Sequence, residues 1–587
     1  WDGNTISRDP DLFILGATAR DGVEIADVES AILAEIERLK DEEIGEEELQ
    51  KALNQVEANF IYSNDSVSAQ ANQLGHFETI HSWRFRDTYL AGIKKVTRAD
   101  VRRVAREYLA RDNRTVVTFL PESSSGGGGN RPSNVEQRTP NTELGMAFYK
   151  PSAGGQIPNP KSEIRDQTMP TRVVLDNGLV VIVYPNRSNP TVAVQGSLNA
   201  GTILEPEGKT GVASLTASLL EKGTANRNAD EISSLKDLNA IRMSIGPGTE
   251  YAEFSGYSLV KNFDLLLDLL ADTLRNPTFP ADQFEKLKAR RLSSIRESLD
   301  SPDSLAERAF YGKVFPAGHP YHRLSVEDEL ANNEAVTLDD VRAFHGSHYG
   351  PRGAVVVVVG DVDPNEAVEK VKRYFGDWRA ENVSEMPAIP DVPLQAGIVE
   401  QVVPMEDKSE VSVFLGYSGG LKRTDPDFYS ATIMNYILGG GGGLGSRFGD
   451  KIRDDMGLVY GVYSTFDATL GPGPWFAYLG TNSADVDKAV AALVEEMTRM
   501  RDKGATKQEV RDAIDFIAGS FPARRLEKNS TIAGTLHVAE VYGLGMDYLR
   551  KYQSYYRAVT PESVNAAARK YLHPDRYTLV TAGTVKQ

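Results

Sequence analysis

Hydrophobic residues along this chain follow two kinds of spacing, one typical of strands and one typical of helices. The run RVVLDNGLVVIVYP (172–185) has β-branched residues on both sides of Asn177 and Gly178, a dipeptide that favours the tight turn of a hairpin. The segment AVVVVVGDV (354–362) is apolar at nearly every position and predicts a strand buried on both faces. Helical spacing predicts helices near 209–222, 262–275 and 281–298. The pattern therefore predicts an α+β protein.

The two ends of the chain repeat one another. The matching pairs are 28–49 with 490–510, 96–121 with 559–583, and the strand LFIL (12–15) with WFAYL (475–479). Each copy is predicted to contain a strand, an amphipathic helix, a long helical stretch, a further helix and a closing strand. The first copy shows no counterpart of what precedes Trp475 in its own domain, so roughly the first third of the leading domain is expected to be missing.

A polar stretch rich in serine, glycine and proline separates the first copy from the rest. It begins with SSSGGGG after Pro121 and has little hydrophobic periodicity. We predict a flexible linker, because about fifty residues without structure are unusual inside a compact domain. The hairpin then starts a new domain, which a proline-rich stretch at 387–393 ends. The predicted organisation is the carboxyl-terminal part of a domain at 1–125, a linker at 126–170, and further domains at 171–393 and 394–587.

Composition narrows the possible functions. At 587 residues the chain is too long for a single hydrophobic core. Its formal charge of −17 repels phosphate backbones, and no basic cluster is interleaved with aromatic residues, so a nucleic-acid partner is not expected. No apolar run is long enough to span a bilayer, so membrane insertion is not expected either. The absence of cysteine excludes disulfides, thiolate catalysis and cysteine-bound zinc, and it suits an oxidising compartment.

From residue 171 onward, the order of motifs resembles one half of a peptidase of family M16, the pitrilysin and insulinase family of zinc metallopeptidases. The motifs are LDNGLVVIV (175–183), NAGTILEPEGKTG (199–211), a helix ending in EKGT (221–224), and GDVDP (360–364) after the valine-rich strand. The resemblance covers nearly all of the chain outside the linker. It implies repeated α+β domains, each an antiparallel-rich sheet packed with helices, in two halves that close like a clamshell around a peptide chamber.

The helix before KGT carries the zinc motif HxxEH in active halves of the family, with two imidazoles on one helical face and a glutamate that activates water. Here the helix reads GVASLTASLLEKGT (211–224), so Ser214 and Ser218 stand at the ligand positions and Ala217 at the glutamate position. Serine hydroxyls are short and neutral, and alanine cannot act as a base. The resemblance therefore implies that this chain alone is inactive, has no catalytic residue, and binds no zinc, which belongs to the complete enzyme.

Several other residues of the chain are candidate zinc ligands. Glu285 could lie near the family's third ligand, but without the histidines it is interpreted as a solvated helix residue. His76 and His81 are five residues apart, which sends their side chains to different helical faces. Two further pairs lie beside proline and glycine and are interpreted as loop or capping residues, although either could hold a metal adventitiously: His319 with His322, and His345 with His348.

A second informative segment, ILGGGGGLGSRFGDKIRDDMGLVYGVYS (437–464), resembles the part of M16 carboxyl-terminal halves that supplies an arginine and a tyrosine seven residues apart. Arg453 and Tyr460 stand at those positions. The resemblance implies that they bind the substrate backbone and the developing oxyanion, since both side chains are good donors to a carbonyl oxygen that gains charge. The glycine run 440–445 also fits the dinucleotide fingerprint, but the preceding 428–438 has helical character, so nucleotide binding is not expected.

The predicted function is that of the non-catalytic part of an M16-type zinc metalloendopeptidase that degrades unfolded peptides. The opening residues contain neither a start methionine nor a signal peptide, which favours an internal fragment. An N-terminal catalytic segment or subunit carrying HxxEH is the expected partner, and it is expected to stay associated because the leading domain is cut between strands. The alternative is a non-catalytic structural or assembly subunit. We expect a periplasmic location, with the cytoplasm as the alternative.

Overall fold

The computed structural model describes residues 2–3, 8–19, 22–119, 169–380, 385–441 and 445–584. Most of the predicted linker at 126–170, and part of the glycine run at 440–445, therefore lie outside the described residues. Contacts divide the chain into two units. Among the described residues, the smaller unit comprises 2–3, 10–19, 22–49 and 95–119, and the larger unit comprises 8–9, 50–94, 169–380, 385–441 and 445–584.

The elements follow one another in three stretches of the described chain. Before the linker lie β1 (Asp2–Gly3), β2 (Ile14–Leu15), α1 (Ile25–Asp41), α2 (Glu46–Tyr62), α3 (Val67–Ile80), α4 (Phe85–Ile93) and α5 (Arg98–Tyr108). Next come β3 (Thr171–Val174), β4 (Val180–Pro185), β5 (Thr191–Leu198), α6 (Val212–Leu219), α7 (Ala229–Leu238), β6 (Arg242–Pro247), β7 (Ala252–Leu259), α8 (Phe263–Arg275), α9 (Ala281–Glu297), α10 (Pro302–Val314), α11 (Val326–Ala335), α12 (Leu338–His348), β8 (Val355–Gly360) and α13 (Pro364–Phe375). The last stretch contains β9 (Val399–Pro404), β10 (Val411–Ser418), α14 (Phe428–Asn435), β11 (Val459–Ala468), β12 (Pro472–Thr481), α15 (Val486–Lys503), α16 (Lys507–Phe521), α17 (Asn529–Val541), α18 (Tyr548–Arg557), α19 (Pro561–Tyr571) and β13 (Thr578–Gly583). Among the described residues, no helix is long and apolar enough to cross a membrane.

The smaller unit is built on the pair α1 and α5, which pack against each other. Arg98 Nε and Arg106 Nε donate hydrogen bonds of 2.6 Å to the carbonyl oxygens of Ile44 and Lys40. A capping box formed by Thr97 and Asp100 begins α5. β1 and β2 form a short antiparallel pair, whereas residues 114–119 belong to no strand.

The first sheet of the larger unit has six strands in the order β3-β4-β8-β5-β7-β6. All neighbours are antiparallel except β4 and β8, which run parallel with Val180 opposite Val355. The strand β8 is buried along its whole length, and side chains of α6, α8 and α12 such as Leu215, Leu266 and Phe344 pack into the core of this sheet. These features confirm the predicted hairpin, the predicted buried strand and the antiparallel-rich α+β fold.

The second sheet of the larger unit has five strands in the order β11-β12-β10-β13-β9. Only β13 and β9 run parallel, with Thr578 opposite Val399. The side chain of Trp475, in β12, is fully buried and stacks on Tyr417 with ring centroids 5.3 Å apart. Its Nε1 donates a 2.9 Å hydrogen bond to Asn435 Oδ1, so the largest core side chain also has its polar atom paired.

Each sheet of the larger unit is covered on one face by a helix from the predicted domain that contains the other sheet. The helix α17 lies on β5 and β8 and buries Ile532 and Leu536 there. The helix α10 lies on β10 and β13, where Phe310 contacts Phe414 and Val580. This exchange of helices buries the outer face of each sheet in apolar side chains.

Residues 50–94 also belong to the larger unit. Lys51 pairs with Asp237 at 2.7 Å, and Tyr257 donates a 2.6 Å hydrogen bond to Asp65 Oδ2. Asn189 Nδ2 donates to Asp65 Oδ1 at 3.3 Å, and burial raises the pKa of this carboxyl. The contacts therefore group 50–94 with residues of the predicted domain 171–393, and the predicted domain boundaries stay predictions.

Candidate functional site

The helix with the degenerate zinc motif, α6, begins where a glycine is required. Gly211 has φ 102°, and a Cβ there would stand 2.1 Å from Asn333 Oδ1. Glu205 Oε1 accepts hydrogen bonds of 2.9 Å from the backbone N–H groups of Gly211 and Ala213, which have no acceptor within the helix. Burial raises the pKa of Glu205 to about 7 despite these donors. The start of α6 is thus held by a carboxyl group from the preceding loop.

The three motif positions of α6 contain no group that fits zinc. Ala217 is only 3% exposed and packs in the core, Ser214 is half-buried, and Ser218 is exposed. Neutral hydroxyls lack the nitrogen, thiolate or carboxylate donors that zinc prefers. Among the described residues, no group of three or more His, Cys, Asp or Glu is placed to hold a metal ion. Glu285 lies exposed on α9, as its interpretation as a solvated residue requires.

Histidines in the larger unit make contacts that stabilise the fold. Three bond a nearby oxygen through Nε2: His319 with Pro390 O at 3.0 Å, His345 with Leu274 O at 2.9 Å, and His537 with Ser197 Oγ at 2.7 Å. Burial lowers the pKa of His537 to about 4, so this imidazole is neutral at pH 7. His76 and His81 have edge-on ring contacts with Phe77 and Phe85. His345 and His348 lie in α12, so their interpretation as loop or capping residues is wrong.

Arg453 and Tyr460 lie close together in sequence at the free edge of the second sheet. Arg453 sits in a π-helical turn, Gly449–Asp455, and its Nε donates a 2.9 Å hydrogen bond to Asp454 Oδ1. Tyr460 lies in the edge strand β11, is 67% exposed, and donates a 3.1 Å hydrogen bond to Asn482 Oδ1. The Arg453 guanidinium has further N–H donors besides Nε, whereas the single O–H of Tyr460 is given to Asn482 and is available to another oxygen only if that bond is exchanged.

The glycine run follows a helix and not a strand. α14 ends at Asn435 and continues as the π-helical turn Tyr436–Gly440, and a Cβ on Gly439 would stand 2.5 Å from the Phe448 ring. The dinucleotide fingerprint needs a strand before the glycines, so this context does not fit it. Residues 442–444 lie outside the described residues. The first glycines allow close packing against the following segment.

A cleft of about 1310 Å³ lies between the two sheets of the larger unit, and sequence patterns did not point to it. Glu250 is 7% exposed and accepts hydrogen bonds from Tyr321 OH at 2.8 Å and from the Leu470 N–H at 3.1 Å. Tyr321 OH also lies 2.7 Å from Thr469 Oγ1. Each of these residues comes from a loop without hydrophobic periodicity, so their meeting depends on tertiary structure alone.

A second polar group in the cleft joins α9, α10 and α11. Glu329 pairs with Arg308 and, at 3.4 Å, with Arg291. Arg291 Nε also donates a 2.5 Å hydrogen bond to Asn333 Oδ1. One carboxylate thus forms ion pairs with both guanidinium groups, and the three side chains together keep a net positive charge.

Comparison with models of protein families identifies the family of this chain. The model described as Insulinase (Peptidase family M16) matches residues 180–317, and the model described as Peptidase M16 inactive domain matches residues 335–516. The chain belongs to peptidase family M16. Within this M16 chain, α6 falls inside the Insulinase match and the segment with Arg453 and Tyr460 falls inside the inactive-domain match.

Relatives of this M16 chain carry names of two kinds. It is 27% identical over 415 residues to an uncharacterized zinc protease of Streptomyces coelicolor, covering 68% of this chain and 87% of the relative. It is 25% identical over 373 residues to the non-peptidase homolog YmxG of Helicobacter pylori, covering 63% of this chain and 84% of the relative. The crystal structure of a peptidase M16 inactive domain from Pseudomonas fluorescens matches 71% of this chain and 98% of its own length, with a TM-score of 0.66 and 26% identity.

These findings confirm the predicted family and fold, with the non-catalytic half of an M16 protein among the described residues. The names of the relatives place zinc in the family, and the residues of α6 do not fit that metal.

Proposed function

We propose that this chain is the non-catalytic part of an M16-type zinc metalloendopeptidase that degrades unfolded peptides. The observation that carries the proposal is α6, where Ser214, Ala217 and Ser218 replace the histidines and glutamate within a segment that matches the Insulinase model. A chain with this helix supplies chamber walls and substrate contacts, and HxxEH with its zinc belongs to an N-terminal segment or partner chain.

The substrate contacts proposed for this chain are Arg453 and Tyr460. Arg453 Nε donates to Asp454 and the guanidinium has further N–H donors for a peptide carbonyl, whereas Tyr460 exchanges its bond to Asn482 for one to the substrate. A guanidinium and a phenol stabilise an oxygen that gains negative charge during peptide-bond hydrolysis, without taking a proton from the substrate.

The strand that carries Tyr460 supports peptide binding. β11 pairs with β12 on one side and is the last strand of its sheet on the other. Its outer backbone N–H and C=O groups can pair with an extended peptide, which unfolded substrates provide and folded proteins do not. Pairing at this strand edge supports unfolded peptides as the proposed substrates.

The test begins with material purified from its source cells under native conditions. We expect intact-mass spectrometry to find a second polypeptide containing HxxEH, with about one zinc per complex measured on the same sample. A chain that purifies alone and without zinc would exclude the peptidase function.

In the active complex, Arg453→Ala and Tyr460→Phe are expected to lower kcat/KM for an unfolded peptide by about 100-fold each, the loss typical of one oxyanion donor. Lys451→Ala, in the same π-helical turn, is the matched control and should leave kcat/KM unchanged. Equal losses in all three variants would indicate that the turn is merely disturbed.

A second candidate function is that of a non-catalytic structural or assembly subunit. A relative from Helicobacter pylori favours it, because that protein is named a non-peptidase homolog and 84% of its length matches this chain. Under this function the co-purifying partner lacks HxxEH, and Arg453→Ala leaves complex formation intact.

We propose the periplasm as the location, with the cytoplasm as the alternative, because a chain without cysteine tolerates an oxidising compartment. Fractionation of source cells with periplasmic and cytoplasmic marker enzymes distinguishes the two.

A further inference from the structure

The cleft between the two sheets of the larger unit contains a buried carboxylate with one free oxygen. Glu250 lies in the turn between β6 and β7 and is 7% exposed. Its Oε1 accepts both of its hydrogen bonds, from Tyr321 OH at 2.8 Å and from the Leu470 N–H at 3.1 Å. Within the described part of the chain, Oε2 has no donor and no lysine or arginine partner, and it is not sealed from solvent. Because a buried carboxylate is stable only with polar or charged partners, Oε2 is suited to a positively charged ligand.

Loops from both sheets hold Glu250 in place. The Thr202 N–H donates a 3.0 Å hydrogen bond to Gly248 O, and a Cβ on Gly201 would stand 2.3 Å from the carbonyl carbon of Glu250. Leu470, in the turn between β11 and β12, reaches the same carboxylate from the second sheet. The carboxylate is therefore positioned before a ligand arrives, which lowers the entropy lost on binding.

The basic groups in the cleft already have carboxylate partners. Seven carboxyl side chains and three guanidinium groups line the cleft. Arg291 and Arg308 pair with Glu329, and Arg323 pairs with Glu307 at 3.2 Å. The lining therefore has an excess of acidic groups, which attracts a cation.

Two further carboxyl groups of the cleft are buried with too little compensation by positive charge. Burial raises the pKa of Glu205 to about 7, and it raises the pKa of Asp467 above its ordinary value of 3.8. Asp467 accepts a hydrogen bond from Tyr311 OH, which is a neutral donor. In both carboxyl groups the cost of burial outweighs the attraction of nearby arginines, so a cation in the cleft would favour their charged forms.

Aromatic rings near Glu250 indicate the class of cation. Tyr251 and Tyr542 line the cleft, and burial, with a contribution from the Glu250 charge, raises the pKa of each phenol to about 12. Both rings are therefore neutral at pH 7, and such rings attract cations, among which a guanidinium also stacks on them. Among the described residues, no three metal-ligating side chains are grouped, and the 1310 Å³ of the cleft suits an organic ligand, for which roughly 300–1,000 Å³ is typical. The lining thus favours an organic cation.

We propose that the cleft binds an arginine side chain of a peptide, with Glu250 as the anionic partner of the guanidinium and with Tyr251 and Tyr542 as its aromatic neighbours. The inference rests on the proposed function for the peptide nature of the ligand. A guanidinium presents several N–H donors in one plane, so it can bond the free Oε2 while its face contacts a ring. Neither Arg453 nor Tyr460 lines the cleft, so this site adds a preference for a side chain to the backbone contacts proposed for those residues.

Fluorescence anisotropy with labelled peptides tests the arginine site on the full 587-residue chain. The probe is an unfolded peptide of about ten residues with one central arginine, and its comparison peptide has citrulline there, which has nearly the same shape but no charge. The arginine peptide is expected to bind with a Kd at least about 10-fold lower, as one hydrogen bond to a charged group provides. Equal Kd values for the two peptides would overturn the proposal.

Matched variants separate Glu250 from the general acidity of the cleft. Glu250→Gln removes the charge but keeps an oxygen for the Tyr321 and Leu470 donors, and it is expected to reduce the preference for arginine over citrulline to within about 2-fold. Glu253→Gln removes the same charge from an exposed position of the same cleft and should keep the preference. Equal losses in the two variants would overturn the proposal. Tyr542→Leu provides a second test that leaves Glu250 in place, and it should weaken binding of the arginine peptide alone, by about 3-fold.

The remaining outcomes distinguish the source of the guanidinium and the role of the chain. Free argininamide is expected to compete at least about 10-fold more weakly than the peptide, and equal affinity would overturn a peptide ligand in favour of a small molecule. Arginine-dependent binding by a chain whose native complex lacks HxxEH would support the cleft site and contradict the proposed peptidase function. An active complex whose chain binds arginine and citrulline peptides equally would contradict the cleft site alone.

Discussion

At α6, Ser214, Ala217 and Ser218 occupy the positions that the resemblance assigns to the zinc motif, and the alanine is closely packed. Ala217 lies in the core with 3% of its surface exposed, and Gly211 brings the helix start against Asn333. A longer side chain at position 217 has no free space in this arrangement. Of the three assigned positions, 217 therefore lies in the core and 218 at the surface.

Restoring the glutamate at this position should cost stability. Ala217→Glu is expected to lower the free energy of unfolding by about 3 kcal/mol, because it overpacks the core and buries a carboxylate. Urea denaturation measures the change. Ser218→Glu, on an exposed position of the same helix, should change it by less than about 0.5 kcal/mol. An equal loss in both variants would contradict the tight packing around Ala217.

Glu205 makes stability depend on pH near neutrality. Its folded pKa of about 7 is above its ordinary value of 4.5, so the folded protein binds this proton more tightly than the unfolded chain. The resulting stabilisation is complete below about pH 4.5 and is lost as the pH rises through 7. Glu205→Gln keeps an acceptor for the α6 N–H groups. As the pH rises from 5 to 8, its free energy of unfolding should increase by about 1–3 kcal/mol relative to that of the wild type.

The control for Glu205→Gln is the same substitution at the exposed neighbour Glu207. Urea denaturation of Glu207→Gln at the same two pH values should give the wild-type pH dependence. If Glu205→Gln also follows the wild type, the carboxyl group is not buried as the structure has it.

Among the elements, α10 and α17 connect the two predicted domains of the larger unit most directly. Each helix lies on the sheet of the other domain, and α10 contributes Phe310, whose ring lies 5.8 Å from those of Phe414 and Phe476. The spacing of apolar residues shows that such helices are amphipathic. It does not show which sheet they cover, because both sheets have apolar faces.

Removing the Phe310 ring should destabilise both domains. Phe310→Ala is expected to cost about 3–5 kcal/mol, the range for truncating a fully buried phenylalanine. Calorimetry and urea denaturation measure the loss. Leu299→Ala, at a side chain that is 41% exposed just before α10, should cost less than about 0.5 kcal/mol.

For the whole molecule, the exchange of helices predicts that the two sheets of the larger unit unfold together. Amides of β8 and β10 should show protection free energies within about 1 kcal/mol of each other by native-state hydrogen exchange. Phe310→Ala should lower both by the same amount. A decrease confined to β10 would show that the two domains open independently.

The sequence alone predicts those features that depend on interactions between residues close together in the chain. Backbone geometry requires a turn at Asn177 and Gly178, so the hairpin followed from the dipeptide and its β-branched flanks. A strand made of consecutive valines has apolar side chains on both faces, so it is expected to be buried on both, and β8 is buried along its whole length. That a serine hydroxyl at 214 or 218 is a poor zinc ligand is a matter of side-chain chemistry, so this expectation needs no coordinates.

The tertiary structure decided what depends on distant segments meeting. Glu250, Tyr321 and Thr469 come from three loops and meet only because the two sheets face one cleft. Residues 12–15 carry the same strand pattern as 475–479, and the pattern cannot reveal whether a neighbouring strand is present to bury it. Burial is a property of the assembled neighbours and not of the segment, so the sequence determined which faces are apolar and the structure determined which of them are covered.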